Sequence, residues 1–182
     1  MSNLVATIGG NSSLSRQATA ILALARVYWN IGGRFIDISE RAGAAITKAW
    51  SSRGSAAGDL DNDGSLEVVV SNMGDPPSLL KNFAARKNWL MVKCIGTTMN
   101  RDAIGARVWV VAGGRWLSAE VQGGASYLSQ NDDRVHFGLG DATRYERLEV
   151  QWLGGAREMF PGGDVNRFVT LKQGTGMAST GW

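Results

Sequence analysis

Asp59, Asp61, Asp63 and Glu67 occupy positions 1, 3, 5 and 9 of the run Asp59-Leu60-Asp61-Asn62-Asp63-Gly64-Ser65-Leu66-Glu67. Carboxylates spaced this closely repel one another unless a cation sits among them. Gly64 lies where a sharp turn lets the chain wrap around an ion, and the carbonyl of Ser65 would then point inward. Calcium takes about six to eight hard oxygen ligands at roughly 2.3–2.6 Å, and this loop supplies nearly that number once a carbonyl and water are added. The expected Ca2+ ligands are therefore Asp59, Asp61, Asp63, Ser65 through its carbonyl, and Glu67. Magnesium suits the loop less well, because it keeps several waters in a rigid octahedron. The loop is no EF-hand: position 12 is Val70 where that motif needs a bidentate Glu, and Val68-Val69-Val70 reads as a strand. The competing reading is a solvated acidic turn, since Asp, Asn and Gly favour turns anyway. Three alternating carboxylates within five residues exceed what a turn requires. A closed oxygen cage ahead of a strand is expected to staple structure and not to catalyse.

Other residue types that carry chemistry are sparse. His136 is the only histidine, and no nucleophile or orienting carboxylate can be assigned around it, so a structural hydrogen-bonding role is expected. Asp132-Asp133 reads as a turn pair. There is no Gly-rich phosphate loop, metal-thiolate spacing or nucleophile elbow. The one cysteine, Cys94, alternates with Leu90 and Val92 and reads as a small core residue. These readings predict a protein that is not an enzyme. The formal charge of +3 comes from scattered Lys and Arg, without the clustering a nucleic-acid surface needs. No stretch reaches the roughly 20 apolar residues of a membrane span. Among seven Trp, the pattern places Trp89, Trp109 and Trp152 in the core. Trp50 and Trp116 are left as candidates for an exposed glycan- or protein-binding platform, and Trp182 falls in the tail.

The elements that must hold the loop read as β. The chain has 182 residues, 24 of them Gly and only 3 Pro, with Val, Trp and Thr in short runs, which favours strands joined by tight turns. Residues 1–12 read as loose. The segment 13–29 fits a short helix followed by a strand, and its run from Ala18 to Ala25 only faintly matches a signal-peptide cleavage region. A strand follows over 34–38 and a helical turn over 39–45. Residues 51–58 are small and read as flexible, and the acidic loop then enters a strand from Leu66. Beyond a boundary near residues 86–88, strands are expected over 89–95, 106–112, 115–121, 134–138, 146–152 and 167–171. Their near-regular spacing and Gly-rich turns suggest a sandwich or barrel. The tail after Gly174 reads as frayed.

Two family resemblances follow from these residues. Arg53 to Asn72, with Gly58-Asp59-Leu60-Asp61-Asn62-Asp63-Gly64 at its centre, resembles the FG-GAP/VCBS repeat of calcium-bearing β-propellers. The stretch Val27-Tyr28-Trp29-Asn30, Gly33-Arg34-Phe35-Ile36-Asp37-Ile38-Ser39 and Ala42-Gly43 resembles the junction of one repeat with the next. Residues 88–173 resemble the ASPIC/UnbV domain. The matching pieces are Asn88-Trp89-Leu90, Asn100-Arg101 with Ala103-Ile104-Gly105-Ala106, Gly123-Gly124 with Tyr127 and Ser129-Gln130, His136-Phe137-Gly138-Leu139-Gly140 and Leu148-Glu149-Val150-Gln151-Trp152. The chain departs from the repeat at Glu67, where Asp is usual, and from the domain at Leu153-Gly154-Gly155, where Pro-Ser-Gly is usual.

These resemblances imply a mainly β protein. One propeller-like calcium-binding repeat would pack on a C-terminal β-sandwich or barrel, with a short N-terminal helix. The implied layout is an N-terminal segment over 1–26, exchanged or covering an edge, a repeat over 27–86, an ASPIC/UnbV-like domain over 87–174 and a tail over 175–182. With material for about one blade, an edge and an apolar face are left uncovered. Self-association is therefore expected, head-to-tail into a filament. The function implied is calcium-stabilised adhesion or assembly at the cell surface or outside the cell, with a glycan or protein ligand. The rival reading is an accessory protein of secondary metabolism, as UnbV-like proteins of enediyne clusters are, or a glycan-binding module.

Overall fold

The computed structural model describes residues 2–8, 25–31 and 33–179. The helical part of segment 13–29, the signal-like run before Ala25 and the end of the tail with Trp182 lie outside them. The described chain is mainly β, as its composition predicts. It divides into two units, one of Met1–Ala56, Val68–Lys81 and Ser126–Leu128, the other of Ala57–Glu67, Asn82–Ala125 and Ser129–Trp182.

The first unit carries two small sheets. Strands β1 (Ser2–Ile8), β2 (Ala25–Ile31) and β3 (Arg34–Asp37) form an antiparallel meander in that order. Residues 2–8 are thus a strand and not the loose segment their polar composition predicts, because pairing with β2 in the register Leu4↔Trp29 supplies the order. Gly33, at φ +89, allows the β2–β3 hairpin to close, with Asn30 Oδ1 accepting its amide hydrogen at 2.9 Å. A 3-10 turn over Ser39–Arg41 and the four-residue helix α1 (Ala44–Thr47) follow, matching the expected helical turn. Strands β4 (Ser52–Gly58), β5 (Glu67–Asn72) and β6 (Ser78–Leu80) make the second sheet in sequence order. Residues 52–58 therefore correct the expected flexible stretch. Small side chains there leave no alternation to read, yet backbone pairing needs none.

The second unit is a two-sheet sandwich with no sheet closed on itself among the described residues, which decides between sandwich and barrel. One sheet has the order β10 (Val135–Gly140), β7 (Asn88–Ile95), β13 (Arg167–Lys172), with β13 parallel to β7. The other runs β14 (Met177–Ala178), β12 (Arg157–Asp164), β11 (Arg144–Gln151), β8 (Arg107–Ala112), β9 (Arg115–Glu120). Leu90, Val92 and Cys94 of the first sheet meet Val108, Val110, Leu148 and Val150 of the second in one core, all fully buried. Period-two alternation is what sends these residues to one face and their neighbours to the other. Residues 177–178 correct the frayed tail, since they pair with Glu158 and Met159. The carboxylate of Glu158 fastens the turn ahead of them by accepting the amides of Gly174 and Gly176 at 2.8 and 2.9 Å.

Trp152 is in the core as expected, but Trp89 and Trp109 are only half-buried. They alternate with Leu90 and with Val108 and Val110, so each stands on the outer face of its sheet. Trp116 is exposed as expected, whereas Trp50 is half-buried beneath the Lys48 ammonium, 3.9 Å from the ring centre. Cys94 is buried, and burial pushes its thiol up to about 12. A thiol reagent at neutral pH is therefore expected to leave native Cys94 unmodified and to react with it fully once denaturant unfolds the chain. Rapid labelling of the native protein would place Cys94 outside the core.

Candidate metal centre

The acidic loop lies within the second unit, on the outer face of the sheet β10-β7-β13. Gly64 is the point of closest approach. A Cβ built on it would stand 2.0 Å from the Trp89 indole, and its φ is +87, so only glycine fits. The Gly64 carbonyl accepts the His136 Nε2–H at 2.9 Å, which fixes the tautomer. Burial holds the His136 imidazole below its ordinary value, opposed by the bond to Gly64 and the charge of Asp59. A neutral ring donating to a backbone carbonyl is the structural role the sequence predicts.

Arg134 clamps the other side. Its guanidinium donates to the Asp59 carbonyl at 2.9 Å and to Asn62 Oδ1 at 2.7 Å, while its Nε bonds both Asp132 oxygens. Burial alone would raise the Asp132 carboxyl, but the Arg134 hydrogen bonds outweigh it and hold the group below the usual carboxylate range. The Asp132 amide bonds the Ala57 carbonyl at 2.8 Å, so this turn anchors the strand entering the loop. Sequence reading leaves Asp132-Asp133 as a plain turn and does not find Arg134.

Within the loop, backbone amides organise the carboxylates. Asp59 accepts from Asp63 and Gly64 at 3.0 and 2.8 Å, and Glu67 Oε2 accepts from Leu60 at 3.1 Å. Asn62 takes φ 58, a left-handed position Asn tolerates, which helps turn the carboxylates inward. Asp59, Asp61 and Glu67 each present an oxygen within 4.8 Å of the others. Asp59 is 2% and Glu67 3% exposed. Asp63 is not in that trio: one of its oxygens takes the Ser65 amide at 2.8 Å and the other is paired with Arg86. Ser65 is held in the turn through that amide. Arg86 is a further partner that sequence reading misses.

Among the described residues Glu67 Oε1 is buried without a hydrogen-bond partner. An orphaned buried carboxylate oxygen is costly, since burying a charge without compensation is among the largest penalties in a folded chain. A cation among Asp59, Asp61 and Glu67 would satisfy it. The donor set is oxygen only, which fits a hard ion such as Ca2+.

Residues 5–70 match the family model described as FG-GAP-like repeat, and residues 96–178 match that described as ASPIC and UnbV. The first part of the chain is thus similar to an FG-GAP-like repeat and the second to an ASPIC/UnbV domain. It is similar to Cartilage acidic protein 1 of Xenopus tropicalis, 35% identical over 108 residues that cover 56% of this chain and 16% of that protein. The protein of the same name from Homo sapiens is 31% identical over 119 residues, covering 62% of this chain and 18% of its own length. The matched stretches therefore span less than a fifth of each relative. Among the described residues no helix is long and apolar enough to cross a membrane.

Proposed function

We propose that this chain is a non-enzymatic, calcium-stabilised protein of the cell surface or extracellular space, serving adhesion or assembly. The observation that carries the proposal is the buried, unpartnered Glu67 Oε1 beside Asp59 and Asp61. Calcium bound there ties the end of β4 to the start of β5 and presses the loop on Trp89. The His136 ring, engaged by a backbone carbonyl, supports the non-enzymatic reading. The name shared by the two relatives refers to cartilage, a tissue rich in extracellular matrix, and supports the location.

Self-association is part of the proposal. Strand β3 lies at the edge of its sheet with all four residues exposed, and Ile36 stands opposite the exposed Trp29. An apolar edge of this kind favours pairing with another chain. Light scattering at rising concentration with calcium present is expected to show growing particles. Monomers throughout, with retention of a small molecule, would replace this reading with that of an accessory protein.

A further inference from the structure

Strand β3 turns half of its backbone away from its own sheet. The Ile38 amide donates to the Val27 carbonyl at 2.9 Å, so by the alternation of an antiparallel ladder Ile38, Ile36 and Arg34 bond toward β2. The backbone groups of Phe35 and Asp37 therefore point to the other edge, which pairs with no strand among the described residues. Edge strands are usually guarded by Lys, Pro or a bulge, and β3 has none of these. Its Asp37 carboxylate is drawn back by the Ser39 amide and hydroxyl at 2.9 and 2.5 Å and by Arg26 at 3.2 Å. Phe35, Ile36 and Trp29 are 59%, 46% and 39% exposed. At roughly 200 Å² for a large side chain, that leaves about 300 Å² of apolar surface at this edge.

We infer that β3 pairs antiparallel with β3 of a second copy of this chain, about a two-fold axis at Ile36. This rests on the self-association proposed above and names its surface. In an antiparallel ladder outward residues must face outward residues, which leaves three symmetric registers to compare. Centring the pair on Asp37 sets two like charges opposite each other. Centring it on Phe35 sets Asp37 against Gly33, whose amide is already given to Asn30 and whose φ of +89 is not that of a strand. Centring it on Ile36 sets Phe35 of each copy against Asp37 of the other, and each facing pair exchanges both of its backbone bonds. Arg34 then stands opposite Ile38, so no charge meets its like. Trp29 and Ile36 of the two copies join into one apolar stripe across the combined sheet. The area sets the strength: a stable interface takes about 800 Å² from each partner, little more than half of it apolar. The apolar surface at this edge falls short of that, so the pair is concentration-dependent and not permanent. The two-fold closes this edge, and growth beyond a dimer requires another surface.

The test uses the full chain at constant calcium. In Ile36→Cys the two introduced thiols face each other across the axis at roughly 4.5–5.5 Å, and an interchain disulfide is expected under oxidised glutathione. In Phe35→Cys they stand on a diagonal of roughly 7–8 Å, and the covalent dimer is expected at no more than about a tenth of that yield. Native Cys94 is buried and does not compete. Sedimentation of two further variants reads the register by charge. Phe35→Glu sets a carboxylate against Asp37 twice in each pair and is expected to raise the dimer dissociation constant at least about tenfold. Phe35→Lys sets an opposite charge there and is expected to stay within about threefold of the parent. General repulsion between two copies of a chain of net charge +3 predicts the reverse order, and finding that order would overturn the register. Self-association without the Ile36→Cys disulfide would overturn this inference in favour of head-to-tail stacking, and the self-association reading would stand. A parent chain that stays monomeric at every concentration would overturn both and leave the edge to a strand of another protein.

Discussion

Gly64→Ala is expected to lower the stability of the second unit by about 2–5 kcal/mol, from a left-handed strain of roughly 1–2 kcal/mol plus overpacking of roughly 1–3 kcal/mol. Both contributions follow from Gly64 itself. Its φ of +87 disfavours any side chain, and the new methyl would meet the rigid Trp89 indole at 2.0 Å. The ring cannot retreat freely, because it packs edge-on against Phe168 with centroids 5.1 Å apart. The loop must lift instead, which breaks the His136 bond and spreads the carboxylates. Gly124→Ala is the control, since a Cβ there meets nothing within 4 Å and its φ needs no glycine. That variant is expected to stay within about 0.5 kcal/mol of the parent. The midpoints of denaturant unfolding compare the two. Equal midpoints would mean that the loop does not rest on Trp89.

Glu67→Gln is expected to act with opposite signs in the two metal states. Two carboxylate charges within 4.8 Å of each other repel by at least about 3 kcal/mol at an effective dielectric of 20. With chelator present, glutamine keeps an oxygen for the Leu60 amide while removing that repulsion, so the variant should melt no lower than the parent. Calcium at about one hundred times its dissociation constant stabilises the parent by about 2.7 kcal/mol, or roughly 5–10 °C in a chain of this size. The variant should lose most of that gain. A full calcium response in Glu67→Gln would remove Glu67 from the ligand set. A variant that melts far below the parent in chelator would assign Glu67 a purely structural hydrogen-bonding role.

The strands that sequence reading locates share a physical trait. In β7, Leu90, Val92 and Cys94 alternate with larger or polar neighbours, and β8, β9, β11 and β13 follow the same period, so side chains alone mark the strand. The missed strands lack that trait. β4 is built from Ser, Gly and Ala apart from Arg53, and β12 contains Pro161-Gly162-Gly163, residues that elsewhere signal a turn. Alternation also says which residues share a face but not which face is inside. Trp109 is large enough to suggest a core position, yet the inner face belongs to the smaller Val108 and Val110. The loop's acidic spacing is local and therefore legible. Its surroundings are not: Trp89, Arg134 and His136 come to it only through the folding of the second unit. Arg86, which pairs with Asp63, leaves no signature in the spacing at all.

The central claim is that a calcium ion completes the oxygen cluster of Asp59, Asp61 and Glu67. A crystal structure of the chain grown with calcium, with anomalous scattering recorded at the loop, tests it most directly. The account predicts one calcium bound by Glu67 Oε1, the oxygen that otherwise has no partner. Saturating calcium with no ion at the loop, and Glu67 Oε1 bonded to a water or a protein donor, would contradict it.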